Sequence, residues 1–340
     1  MNAITVNTST MQAVVATQYG GPEVLQVNQL PKPIPQDDEV LIRIRATSVN
    51  AAHTAMRTGR PLYGRIFLGL TKPKISVPGT DLAGEVEAVG KNVSRFSVGD
   101  QVFGSTDIGG GCYAEYVSIP EKSVLLHKPA QVSFTEASAL VEGSTTSLPF
   151  LRDFGNIQPG QKVLINGASG SMGTAAVQLA KYFGAEVTAV SSTANLEWVQ
   201  ELGADQVIDY TREDFTRKGQ QYDLIFDTVG KSSFSRCKRA LTKNGIYLSP
   251  VLGIRTLLEV VVSSVRFSIR GKGKRAIFSA TGLRDFDERF NNLVFIQELI
   301  QAGKLEAIID RTYSLEEIVK AHRYVDRGHK KGNVVVIMDN

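Results

Sequence analysis

GASGSMG, Gly167 to Gly173, is the stretch whose reading decides the fold. It follows a short apolar strand, KVLING (162–167), and opens an apolar-periodic helix, TAAVQLAKYFG (174–184), which Gly184 closes at its C-terminal cap. A strand that ends in glycines and feeds a helix is the context in which a glycine pattern points to a nucleotide. Gly167 allows the tight strand exit. Gly170 lets the backbone approach a pyrophosphate with no Cβ in the way, and Gly173 allows close helix–strand packing. The helix N-terminus then presents free N–H groups and a partial positive charge to the phosphates. The spacing is GxxGxxG, not the commoner GxGxxG. The plain alternative is an empty tight turn in an α/β protein.

Working outward, AEVTAVSS (185–192) is the next strand and NLEWVQELGA (195–204) a second glycine-closed helix. QVIDY (206–210), YDLIFDTVG (222–230), NGIYLSP (244–250) and RAIFSA (275–280) are further strand candidates. Strand, helix, strand, helix at this spacing means a parallel sheet with helices on its faces. At the end of the second strand an NAD-preferring site carries Asp or Glu for the ribose 2′-hydroxyl. Here the residues are Ser191-Ser192-Thr193. A carboxylate would repel a 2′-phosphate, whereas small hydroxyls can donate to it, so NADPH is expected over NADH. No Arg or Lys sits in that turn; Tyr210, ending the third strand, offers another hydroxyl.

Residues 11–130 read as β-rich. Short runs at Gln12–Thr17, Glu39–Thr47, Leu82–Val89, Gln101–Gly104 and Tyr113–Ile119 are separated by Gly, Pro and Asp turns, which suggests a compact barrel-like body. Residues 135–147 look helical. The last section predicts a helix over Phe286–Ala302, another over Leu315–Arg327 and a terminal strand, NVVVIM (333–338). That strand has no partner in its own section and is expected to return to the N-terminal β body. The expected division is therefore a discontinuous domain of 11–134 and 283–340, with a Rossmann domain of 135–282 inserted into it and a loose leader over 1–10.

The 340 residues suit two domains, and 42% hydrophobic with 21% charged residues is a globular profile. No stretch reaches the roughly 18 apolar residues a spanning helix needs. The first residues show neither an apolar signal core nor an Arg-rich amphipathic pattern, so a cytosolic protein is expected. A net charge of +4 is no argument for nucleic acid. Two distant cysteines, Cys112 and Cys237, form no CxxC pair, which excludes a Cys-rich structural zinc site. Residues 254–275 (IRTLLEVVVSSVRFSIRGKGKR) join an apolar stretch to a basic end. This could suit an anionic bilayer. The preferred reading is that Leu257–Val262 packs over the active-site cleft or at a dimer contact, with the charges solvated.

Further motifs follow in order: TSVNAAHTAMRTG (47–59), PGTDLAGEVEAVG (78–90), VGDQVFG (98–104), the glycine turn, LGADQVIDY, FDTVG and KKGNVVV. With these the chain resembles the medium-chain dehydrogenase/reductase superfamily and its zinc-free quinone oxidoreductase branch, over nearly everything from Met11 to Asn340. The resemblance implies a Rossmann sheet inserted into a GroES-like β-rich catalytic domain. Where zinc-dependent relatives have Cys, His and Glu, this chain has Asn50, Thr80 and Asp81. Asn and Thr are poor zinc ligands, so no metal is expected. His53 stands where the branch usually has Asp, and is read as a hydrogen-bonded pocket or surface histidine.

Without zinc there is no Lewis acid to polarise an alcohol oxygen. What remains is hydride delivery to an electron-poor quinone or α,β-unsaturated carbonyl. By resemblance, Asn50 would lie near the nicotinamide ribose, Thr146 at the nicotinamide amide, and Ser169, Gly170, Ser171 and Met172 around the pyrophosphate. Asp227 to Gly230, including Val229, would border the adenosine or ribose. Val251, Leu252 and Gly253, with Phe278, Ser279 and Ala280, would flank the nicotinamide. Lys331, Gly332 and Asn333 would close over the phosphate side. Thr146 could instead only cap a helix, and Asp227 only bond backbone at a strand end. Tyr63 is a candidate proton donor, with loop packing as its plainer reading and water as the alternative acid. The resemblance also implies a homodimer through sheet edges. A catalytically weak NADPH-binding sensor and a membrane-surface protein are the competing functions.

Overall fold

The computed structural model describes residues 9–251 and 253–338. The chain divides into two compact units, Met1–Val141 with Ile309–Asn340, and Glu142–Ile308.

The first unit begins with β1 (Thr10–Val15), β2 (Gln26–Pro31), β3 (Glu39–Val49), β4 (Asp81–Val89), β5 (Gln101–Ser105), β6 (Tyr116–Pro120) and β7 (Val124–His127). The second unit carries β8 (Lys162–Asn166), β9 (Glu186–Ser191), β10 (Gln206–Asp209), β11 (Tyr222–Asp227), β12 (Leu241–Ser249) and β13 (Arg275–Phe278). The chain then returns with β14 (Ile309–Ser314) and β15 (Asn333–Ile337).

In the first unit β1 and β2 form a ribbon, and the larger sheet runs β14-β15-β3-β4-β5-β7, with β6 also on β3. The terminal strand does return to the N-terminal β body: β15 pairs antiparallel with β3, Val335 opposite Ser48. Its Val334, Val335 and Val336 are fully buried. Helix Ile318–Asp326 closes one side with Ile318, Ala321 and Val325, three or four residues apart and facing the same core as Ile42, Leu82 and Val336.

The second unit has one parallel sheet in the order β10-β9-β8-β11-β12-β13. In chain order that is third, second, first, fourth, fifth, sixth, the doubly wound arrangement. Its central strands are apolar without alternation, as strands covered on both faces must be. Val163, Leu164 and Ile165 on β8, and Ile225 and Phe226 on β11, are fully buried. The chain reverses direction across the sheet between β8 and β11, and there the glycine turn emerges.

The divisions differ from the sequence reading. They fall after Val141 and Ile308, not after 134 and 282. Helix Phe286–Gln301 therefore belongs to the second unit. Its Phe295 stacks on Phe183, and its Asn292 accepts from Arg152, both second-unit residues. β2, β7 and β14 are strands that the sequence did not announce; β2 is mostly exposed and β14 carries polar residues along its length. Ile254–Arg270 is a 17-residue helix. The expected packing of Leu257–Val262 is not met within this chain. The helix instead turns Val260, Ser263 and Phe267 inward and leaves Leu257, Leu258, Val261 and Val262 exposed.

Candidate dinucleotide site and a buried polar cluster

All six strands of the parallel sheet end on one edge, and the second-unit residues expected to hold a cofactor line that edge. Gly167 leaves β8 with φ +85°, a conformation L side chains avoid, and a Cβ there would lie 2.7 Å from both Thr228 Oγ1 and Val229 Cγ1. At Gly173 an added Cβ would stand 2.1 Å from the Gly167 carbonyl oxygen. Gly170 differs: its nearest neighbour would be 3.7 Å away, so the space before it is open. It is the extended N-cap of helix Ser171–Tyr182, and no side chain caps that helix. The helix start thus presents its amides and dipole to whatever occupies the open space. Helix Phe134–Pro149 crosses closely behind: a Cβ on Gly143 would meet the Ser171 carbonyl at 2.7 Å, and Ser147 Oγ donates to the Met172 carbonyl at 2.9 Å. Thr146 is half-buried on the same helix face, three residues from Gly143. Ser169 is half-buried in the turn itself.

At the end of β9, Ser191 is 2% exposed and its hydroxyl has no hydrogen-bond partner among the described residues. Such a buried orphan is costly unless something else satisfies it. The Ser191 carbonyl accepts the Tyr210 N–H at 3.1 Å, which sets the exposed Tyr210 side chain beside this end. The Ser192 hydroxyl accepts from Asn195 Nδ2 at 3.2 Å. Sequence reasoning missed two charges here. Asp209, paired in register with Ser191, receives the hydroxyls of Thr193 and Thr211, and Arg212 Nε lies 3.5 Å from it. Those hydrogen bonds, Thr193's first, hold its carboxyl below the usual carboxylate range. The signal was present in VIDY, which puts an acid immediately before Tyr210.

Asp227, at the end of β11, is fully buried. It accepts from Asn166 Nδ2 at 2.9 Å, the Gly230 and Ser232 amides at 3.0 and 2.9 Å, and the Tyr247 hydroxyl at 2.8 Å. Its carboxylate is engaged by protein donors and ties down the 228–232 loop, on which Val229 and Lys231 are exposed side chains. Val251 abuts Gly230, and Phe278 pairs in register with Ser249, so these and the half-buried Gly253 and Ser279 continue the edge. Leu252 lies outside the described residues.

The remaining expected residues are in the first unit. Asn50 is buried and caps helix Ala51–Thr58 by accepting the His53 amide at 3.0 Å, while its Nδ2 reaches Asp81 at 3.4 Å. Its Oδ1 thus serves as the helix cap, and its Nδ2 faces Asp81 in the same buried cluster. Lys331 donates its amide to Asp310 at 2.7 Å, and Gly332 turns at φ +81° into β15, which begins with the buried Asn333. Tyr63 is half-buried in the turn Leu62–Gly64, and burial raises its phenol above the ordinary value.

Around Asn50 is a buried polar cluster that the sequence only touched. His53 is buried with Nδ1 2.8 Å from the Tyr113 hydroxyl and Nε2 2.8 Å from Thr80 Oγ1. Burial pushes its pKa down to about 4. His322 stands edge-on to Tyr113, with neither ring nitrogen hydrogen-bonded among the described residues. Burial first, and then the neighbouring His53 and Arg57 charges, hold it well below the ordinary histidine value.

The comparisons with known proteins agree with this architecture. The alcohol dehydrogenase GroES-like domain matches residues 36–130, and the zinc-binding dehydrogenase family matches 202–336. A chloroplastic quinone oxidoreductase of Triphysaria versicolor is 33% identical over 96% of this chain and 98% of its own. A 2-methylene-furan-3-one reductase of Solanum lycopersicum is 32% identical over 96% of this chain and 79% of its own. The solved quinone oxidoreductase of Coxiella burnetii superposes with a TM-score of 0.85 at 29% identity, covering 97% of this chain and all of that one. The fold and the glycine edge are those of a medium-chain dehydrogenase/reductase. The chain belongs to that superfamily, in its quinone oxidoreductase branch, and is an oxidoreductase whose family implies a nicotinamide cofactor.

Zinc, which one family description names, does not fit the donors present. Asp81 is surrounded by Ser48, Asn50 and Thr80, and the Cys112 thiol is raised by burial and so stays protonated. Among the described residues no three His, Cys, Asp or Glu side chains are grouped to hold a metal ion. A dinucleotide does fit: the orphaned Ser191 hydroxyl, the open front of Gly170 and the uncapped helix start are what it would fill.

Two predictions follow from this geometry. Gly173→Ala lowers stability by about 1–3 kcal/mol in urea unfolding, because the turn cannot open for a Cβ. Gly170→Ala leaves stability within about 0.5 kcal/mol and weakens dinucleotide binding; equal stability losses for the two would contradict the reading. The second concerns pH. Both histidines have folded values below the unfolded value of 6.5, so their neutral forms stabilise the fold fully above about pH 6.5. That stability is lost as pH falls toward 4. His53→Gln should flatten this part of the stability profile while leaving the His322 share; an unchanged slope would remove His53 from the account.

Proposed function

We propose that the chain is an NADPH-dependent reductase of quinones and α,β-unsaturated carbonyls. The observation that carries the reading is the buried, unpartnered Ser191 hydroxyl at the end of β9, where an NAD-preferring site has a carboxylate. The one acid nearby, Asp209, is already covered by two threonine hydroxyls and Arg212. Ser191 and Ser192, with Tyr210 and the exposed Arg212 guanidinium, form the group that would hold a 2′-phosphate. Ser169 to Gly173 would take the pyrophosphate. Thr146, Val229, Val251, Gly253, Phe278 and Ser279 would flank the rest of the dinucleotide, and Lys331 to Asn333 the phosphate side.

When bound, NADPH supplies the hydride, and the acceptor must already be electron-poor, since its carbonyl oxygen takes the charge. The names of relatives, a quinone oxidoreductase and a furanone reductase, support that acceptor class. Tyr63 keeps its proton at neutral pH and is the phenol offered to the enolate, with water as the competing acid. By family resemblance the working unit is a cytosolic homodimer.

The test follows NADPH oxidation against a panel of quinones and short enones, with NADH in parallel and a chelator control. The expected result is chelator-insensitive turnover with kcat/KM at least about tenfold higher for NADPH, a difference of about 1.4 kcal/mol. Ser191→Asp should remove that preference. Equal efficiency with both cofactors would sink the NADPH reading. NADPH binding without any turnover would make the chain a binding protein, and a chelator-sensitive rate would overturn the metal-free chemistry.

A further inference from the structure

Helix Ile254–Arg270 is amphipathic in the reverse of the usual sense. Its buried side is small and partly polar: Ser263 receives the Ala276 amide at 3.0 Å, tying the helix to β13, and Glu259 receives the Phe234 amide at 2.9 Å and the Ser235 hydroxyl at 2.7 Å. The outward side is apolar. Ile254, Leu257, Leu258, Val261, Val262, Val265 and Ile269 are between 49 and 78% exposed. Their spacing of three, one, three, one, three and four residues keeps them on one face of a helix that turns about 100° per residue. Single exposed apolar side chains need no explanation, but a contiguous row of seven does.

The borders of that face indicate what covers it. Arg255, Arg266 and Arg270 fall along one border, within about 60° of each other around the axis. Lys272 follows just past the helix end, at Gly271. Arg266, Arg270 and Lys272 have no hydrogen-bond or ion-pair partner among the described residues. The segment's lone acid, Glu259, is engaged by Phe234, Ser235 and Arg255. A second copy laid antiparallel on this face would bring the two arginine borders together, where the one acid, Glu259, is already bonded within its own chain. A surface of anionic headgroups over acyl chains complements both parts: the valines and leucines enter the acyl boundary, and the arginine heads remain at headgroup level. No helix among the described residues is long and apolar enough to cross a membrane, so this one would lie in the interface plane.

We propose that helix Ile254–Arg270 docks the protein on an anionic lipid surface. The proposal stands independently of the cofactor and substrate assigned above. It is tested by floating the full chain with vesicles of phosphatidylcholine alone, or of phosphatidylcholine mixed with phosphatidylglycerol. Recovery with the phosphatidylglycerol vesicles at low salt is expected, falling at least about tenfold at high salt as screening sets in, with no recovery on phosphatidylcholine alone. The exposed-site variants Leu258→Glu with Val262→Glu, and Arg266→Glu with Arg270→Glu, should each lose flotation while keeping the parent's thermal unfolding midpoint. Failure to float with anionic vesicles at low salt overturns the proposal, as does equal binding to neutral vesicles or variants that bind like the parent. A concentration-dependent dimer in sedimentation that Leu258→Glu with Val262→Glu dissolves, without flotation of the parent, assigns the face to a second copy instead.

Discussion

The approach of Gly173 to the carbonyl of Gly167 is the constraint on which the nucleotide half depends. With no Cβ at 173, the start of helix Ser171–Tyr182 can sit directly against the exit of β8. That closeness fixes where the helix amides point, and it leaves Gly170 as the half-buried crest of the turn with room for a Cβ. Packing behind the turn is equally tight, through Gly143 and Ser147. Three close approaches thus fix a rigid helix start in the second unit, and rigidity at a phosphate site reduces what must be ordered on binding.

A second device sets the neighbouring loop. Asp227 is a buried carboxylate satisfied by side-chain and backbone donors from β8, β12 and its own loop. A buried charge is tolerated only when so paired. Its consequence is positional: the loop from Thr228 to Ser232 is held against the glycine turn, at the point where the chain reverses direction across the sheet. In the first unit, the cluster of Asn50, His53, Thr80, Asp81 and Tyr113 is a second buried polar knot, joined by its own hydrogen bonds.

Much of this was legible in the sequence because it rests on local chemistry. GASGSMG between KVLING and an apolar helix announces a strand–turn–helix of a parallel sheet, and the valine run of 333–338 had to find a sheet. The missing acid at Ser191 was visible too. What was not visible depended on register and on three-dimensional neighbours. Asp209 comes beside Ser191 only through β9–β10 pairing. Asn50 was placed by resemblance, and the local fact that it caps a helix competes for the same side chain. Helix Phe286–Gln301 was assigned across the boundary because its partners, Phe183 and Arg152, lie more than a hundred residues earlier. The apolar stretch of residues 254–275 was legible, but which side of the helix carries it was not: the apolar face turns outward, which rules out packing within this chain.

The central claim is that the edge formed by the glycine turn and the ends of β9 and β10 receives a nucleotide with a 2′-phosphate. Amide hydrogen exchange with and without NADPH tests it most directly, because it reports the binding place without relying on turnover. The account predicts slowed exchange at the amides of Ser169 to Gly173 and around Ser191 to Thr193, with NADH giving the first protection but little of the second. Protection absent from both segments, or found at the second equally with NADH, would contradict it.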